Sequence, residues 1–129
     1  MLKDCQVHTT LPVADLARAR TFYENVLGLS ASVELPSGVF YACGAGTRFA
    51  VSRSAGVASG AHTQMAFVVD DVVTEVRELR SQGVVFEEYE LPGLETVDGI
   101  ADQGTLKAAW FRDSEGNLLA IMQPSQPID

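Results

Sequence analysis

Two four-residue stretches, Val13-Ala14-Asp15-Leu16 and Val69-Asp70-Asp71-Val72, stand 56 residues apart, and each opens a helical pattern just after a strand pattern. The same offset nearly lays Gly28 on Gly83. Such self-similarity points to a duplicated unit. Upstream of the first stretch, residues 5–11 alternate, with Cys5, Val7, Thr9 and Leu11 on one side and Gln6, His8 and Thr10 on the other. Pro12 is expected to end that strand. Asp15 is a good N-cap, and Leu16, Ala19, Phe22, Tyr23, Val26 and Leu27 follow at helical spacing up to Gly28, a residue suited to a left-handed helix terminus. Strands are predicted at 29–34, 38–43 and 47–53, separated by Pro36-Ser37-Gly38 and Gly44-Ala45-Gly46.

The small residues of 54–61 read as a connector, after which the order repeats. A strand is predicted at 63–69. Asp70-Asp71 caps a helix that carries Val72, Val73, Val76 and Leu79 and ends at Gly83. Strands at 84–90, 107–112 and 117–123 follow, the last two joined by Asp113-Ser114-Glu115-Gly116. Both halves thus read βαβββ, the first about 4–53 and the second about 62–124, within one domain spanning 1–129. One unit alone is too small to bury both faces of its sheet. The expected fold is α+β: two tandem βαβββ units forming a half-open, barrel-like curled sheet around a cleft, with the helices outside.

Composition narrows the function. Nine Lys+Arg against seventeen Asp+Glu give a net charge of −8, which disfavours nucleic acid and anionic membranes. No apolar run approaches the roughly 20 residues that span a bilayer, and MLKDCQVHTT lacks the apolar core of a signal peptide. A cytoplasmic protein is expected, with Cys5 and Cys43 as free thiols or, alternatively, a disulfide. GAGTRF at 44–49 is no phosphate cradle, and no Gly-x-Ser-x-Gly elbow is present.

The opening HTTLPVADLARARTFYENVLGL and the closing FRDSEGNLLAIMQ resemble the vicinal oxygen chelate superfamily, which includes glyoxalase I, bleomycin and fosfomycin resistance proteins and extradiol dioxygenases. The resemblance spans nearly the whole chain. It implies a divalent metal held by side chains from the first and fourth strands of each unit. His8 falls on the first such position and Gln64 on its repeat, whereas the two carboxylate positions fall within Ala50, Val51 and Ser52 and on Ala120. An open catalytic site normally needs about three strong protein ligands, so no complete metal site is expected; His8 with Gln64 and His62 is the remaining alternative. The catalytic residues are unassigned.

The expected ligand pocket lies between the units and is lined by His8, Thr10, Tyr41, Phe49, Gln64, Ala66, Glu88, Trp110, Ala120 and Met122. Residues 87–102 carry six acidic residues and no Lys or Arg; they read as a lid or binding loop, or as a solvated flap. Arg48 and Lys107 are the cations placed to meet an anionic substrate. Three readings stay open. One is a metal-free protein that binds or sequesters an apolar, aromatic or cationic small molecule. Another is a metal-dependent lyase, isomerase or dioxygenase of glyoxalase type. The third is a structural or regulatory dimer without ligand. A homodimer is expected from the resemblance, because units of this superfamily usually pair.

Overall fold

The structure, a computed structural model, describes residues 1–127. The chain divides into two compact units, Met1–Ala58 and Ser59 onward. The first contains β1 (Thr9–Val13), α1 (Leu16–Thr21), a π-helical turn (Phe22–Val26), β2 (Ala31–Leu35), β3 (Gly38–Ala42) and β4 (Arg48–Arg53). The second contains β5 (Met65–Val68), α2 (Val72–Ser81), β6 (Glu90–Leu91), β7 (Leu94–Glu95), β8 (Ala101–Asp102), β9 (Leu106–Arg112) and β10 (Leu118–Pro124). The class is α+β, and each unit has an open four-stranded sheet, ordered β1-β4-β3-β2 and β5-β10-β9-β8. β1 runs parallel to β4 and β5 runs parallel to β10. Among the described residues no helix is long and apolar enough to cross a membrane.

Both helices start where a carboxylate caps them. Asp15 accepts from the Arg18 amide at 3.0 Å, and Asp71 accepts from the Val73 and Thr74 amides at 3.1 and 3.2 Å. These bonds satisfy N–H groups that a helix start leaves without partners. Gly28 and Gly83 take φ of 75° and 95°, the left-handed conformation that lets the chain leave each helix.

Three expectations need correction. The first strand begins at Thr9 rather than Cys5, because its neighbour β4 begins at Arg48 and pairs Phe49 with Thr9. Pro12 lies inside β1, in register with Ser52; an edge strand tolerates its missing N–H. The strand expected at 84–90 is reduced to one bridge, Phe86 to Phe111, before β6 starts. The outer edge of β9 is shared: Phe86 and Glu87 pair near its Arg112 end, and β8 pairs with Lys107 and Ala108.

Register and pleat sort each sheet into two faces. In the first unit Leu11, Val13, Val39, Tyr41, Phe49 and Val51 share a face and are all buried. Tyr23, fully buried in the π-helical turn, stacks on Tyr41 at 5.6 Å and tilts against Phe49 at 5.5 Å. In the second unit Gln123 Oε1 accepts the Val72 amide, which marks the helix-bearing side. Met65, Phe67, Ala109, Phe111, Leu119 and Ile121 share that side with Gln123.

Candidate functional site

The faces turned away from the helices carry the same three-residue row in both units. Cross-strand register aligns Thr10, Ala50 and Phe40 in the first unit. It aligns Ala66, Ala120 and Trp110 in the second. Each row sets two short side chains beside one aromatic ring. The alanine of the central strand is buried, the ring is half-buried, and the edge-strand residue is exposed. A small side chain beside a large flat one leaves a shallow apolar step against a π-face, a shape suited to stacking.

Both rings are held in place. The His8 imidazole meets the Phe40 ring edge-on at 4.9 Å. Trp110 Nε1 donates to Thr63 Oγ1 at 3.0 Å, and Tyr89 packs against the indole at 5.6 Å with the rings nearly perpendicular. Burial, with the Glu87 charge as a smaller contribution, raises the Tyr89 phenol above its ordinary range, so it stays neutral beside the indole.

Seven of the ten expected pocket residues lie on these faces or directly ahead of them: Thr10 in the first unit and Ala66, Trp110, Ala120 and Met122 in the second, with His8 and Gln64 immediately before β1 and β5. Three do not. Tyr41 and Phe49 point to the helix side, where they form an aromatic cluster with Tyr23. Glu88 turns into its own loop, accepting from Thr96 Oγ1 at 2.6 Å and from the Gly99 amide at 2.7 Å. These bonds, the Thr96 one foremost, hold its carboxyl below the usual range. The acidic segment is therefore a bonded miniature hairpin, β6 on β7, which Arg80 ties to α2 through the Asp98 carbonyl.

Gln64 is occupied structurally. Its Nε2 donates to Asn117 Oδ1 at 2.9 Å, and its Oε1 accepts the Leu118 amide at 3.1 Å. Asn117, fully buried, in turn donates from Nδ2 to Asp113 Oδ2 at 2.7 Å and from its amide to Asp113 Oδ1 at 2.8 Å. The amide thus fastens the start of β5 to the β9–β10 turn. Sequence reasoning missed Phe40 and Thr63 and gave Asn117 no role, since each acquires its place only through cross-strand pairing.

At the start of β1 and β4 a cleft of about 380 Å³ opens between residues 6–9 and 46–48. Its far wall is the β3–β4 turn. There Thr47 Oγ1 donates to the Gly44 carbonyl, and Ala45 and Gly46 take φ of 56° and 77°. His8 and Arg48 both line it, and both are exposed.

On the helix side of the first unit, Arg20 bonds both Glu24 (Nε to Oε2, 2.7 Å) and Glu34, while the Tyr41 hydroxyl donates to Glu24 Oε2 at 3.0 Å. Arg20, with a smaller contribution from Tyr41, holds the Glu24 carboxyl below its ordinary range. A depressed folded-state value means the contribution is complete above the unfolded carboxylate range and is lost as pH falls through the folded value. Glu24→Gln should therefore flatten the acid limb of a plot of urea midpoint against pH; an unchanged limb would remove this pair from the acid response.

A divalent metal fits these residues poorly. Among the described residues no group of three or more His, Cys, Asp and Glu side chains comes together. Of the two carboxylate positions, Ala50, Val51 and Ala120 supply no side-chain donor and the Ser52 hydroxyl bonds backbone carbonyls, while the Gln64 oxygen is already accepting an amide. One imidazole falls short of the roughly three strong ligands an open site requires.

A sequence model described as the Glyoxalase/Bleomycin resistance protein/Dioxygenase superfamily matches residues 6–121. No protein of curated function matches the sequence. Among solved structures, TnmS3, an antibiotic binding protein from Streptomyces sp. CB03234, is similar at TM-score 0.71 and 22% identity over 94% of this chain and 98% of its own. The fosfomycin resistance protein FosX from Listeria monocytogenes is similar at TM-score 0.70 and 18% identity, covering 94% and 91%. A glyoxalase/bleomycin resistance protein/dioxygenase from Alicyclobacillus acidocaldarius is similar at 0.67 and 18%, covering 98% and 96%.

Proposed function

Because the chain belongs to the Glyoxalase/Bleomycin resistance protein/Dioxygenase superfamily, we propose that it is a small-molecule-binding protein that takes a planar, largely apolar ligand without a metal ion. The observation that carries this reading is the Ala66–Ala120–Trp110 row, a step of small side chains beside a fixed indole. Ligand sites of this kind are mostly apolar with a few placed polar groups. Thr63 and Tyr89, which hold the indole, fix the ring plane and so lower the entropic cost of stacking. The similar fold of an antibiotic binding protein supports a binding role. Glu88 does not favour a cationic ligand, since its carboxylate is engaged within its own loop.

Trp110 is the only tryptophan, so its emission reports on this row alone. Acridine-9-carboxamide, a planar uncharged probe that accepts energy from indole, should quench it saturably. Ala66→Leu places a branched side chain on an exposed position beside the ring. It should weaken the probe about tenfold or more while leaving the unfolding midpoint close to wild type. Linear, collisional quenching in wild type, or equal affinity in Ala66→Leu, would overturn the reading.

A further inference from the structure

Beside these two rows the units differ in how their polar side chains are engaged. Two residues before the first unit's row, Arg48 pairs with Ala42, and His8, immediately ahead of β1, lines the same cleft as Arg48. The equivalent positions of the second unit are Gln64, Leu118 and Arg112. There the polar groups are spent: Gln64 is bonded to Asn117 and Leu118, and Arg112 is bonded to Glu87 at 2.7 Å and to the Gly60 carbonyl at 3.1 Å. In the first unit His8 makes a ring contact with Phe40, which leaves its nitrogens available, and among the described residues Arg48 has neither an ion pair nor a side-chain hydrogen bond. Both side chains open onto the same cleft.

From this asymmetry we infer that the His8–Arg48 cleft is an oxyanion site, which takes the carboxylate of an aromatic acid whose ring lies on the Thr10–Ala50–Phe40 row. A guanidinium presents a planar fork that matches a carboxylate with two parallel bonds, and an imidazole beside it adds a third donor. Most other arginine side chains of the described residues already bond a carboxylate, a hydroxyl or a carbonyl. In a chain of net charge −8, a guanidinium left over at a cleft is therefore a local exception to the acidic field. The ring-bearing row crosses the same two strands and reaches Phe40 on β3, so acid and ring are read by neighbouring residues of one sheet. The inference deepens the reading above and rests on it for the aromatic part of the ligand.

The chain has two histidines, His8 and His62, so proton NMR separates the site from an internal control. Titrating benzoate into the full chain should move the His8 ring protons saturably and leave those of His62 in place, while benzamide should move neither to comparable extent. Arg48→Ala, at an exposed strand end, should weaken benzoate about tenfold or more, and Arg48→Lys should restore part of the loss. Immobile His8 signals, equal responses to benzoate and benzamide, or an unchanged Arg48→Ala would overturn the site. Inorganic phosphate binding more tightly than benzoate would overturn the carboxylate assignment. Quenching of Trp110 by acridine-9-carboxamide is read in the other unit. A benzoate response with no such quenching removes the apolar-floor reading alone, and the converse removes the oxyanion site alone.

Discussion

Asn117→Ala should lower the free energy of unfolding by about 2–4 kcal/mol. The side chain is fully buried and links the start of β5 to the β9–β10 turn. Its Oδ1 receives Gln64, its Nδ2 reaches Asp113, and its own amide closes the turn on the same carboxylate. Truncation removes the acceptor of the Gln64 side-chain amide and one of the donors to the buried Asp113 carboxylate. Losing one member of such a network costs more than the net value of its bonds. Urea unfolding followed by far-UV circular dichroism measures the change. Gln64→Ala should cost less, because Gln64 is only half-buried and Asn117 keeps Asp113. A loss below 0.5 kcal/mol for Asn117→Ala, a surface-like value, would mean that the turn does not depend on this network.

Tyr41→Ala should be the most damaging single change in the first unit, at about 3–5 kcal/mol, the range for removing a buried aromatic ring. Tyr41 is fully buried, stacks on Tyr23 and tilts against Phe49, so its loss opens a hole between the sheet and the π-helical turn. Tyr41→Phe keeps the ring and loses only the hydroxyl bond to Glu24, a difference of about 1 kcal/mol. The Glu24 carboxylate retains Arg20 in that variant. Because the ring faces the helix, Tyr41→Phe should leave acridine-9-carboxamide and benzoate affinities unchanged. Urea midpoints and the two titrations measured side by side check both statements. A ligand-affinity loss in Tyr41→Phe would place Tyr41 back on the binding face.

That assignment shows where sequence reading stops. The repeat at 56 residues, the caps Asp15 and Asp71 and the final hairpin are all legible, because each is a local signal of residue type at fixed spacing. The face of a buried strand is not. Val39-Phe40-Tyr41 and Phe49-Ala50-Val51 are apolar throughout, so alternation gives no phase. Only the pairing of Tyr41 with Phe49, and of Phe40 with Ala50, decides which ring meets the helix. Tyr41 and Phe40 therefore exchange the roles a reader would give them. Gln64 was visible as the counterpart of His8, but its partner Asn117 lies 53 residues away and no spacing rule links them. The segment 84–90 has the composition of a strand; β8 and the pull of Thr96 and Gly99 on Glu88 leave it a single bridge.

His8 remains the residue on which a metal-centred view of this family would turn. Here it stands against Phe40 with Arg48 next to it, and the positions that would complete an ion's shell are apolar or already bonded. The most direct measurement is a calorimetric titration of acridine-9-carboxamide into the full chain, once with excess EDTA and once with Ni²⁺, Zn²⁺, Mn²⁺ or Fe²⁺ added. A metal-free binding floor predicts the same stoichiometry and affinity in every case. Binding that appears only with an added ion, and disappears in His8→Ala, would contradict it.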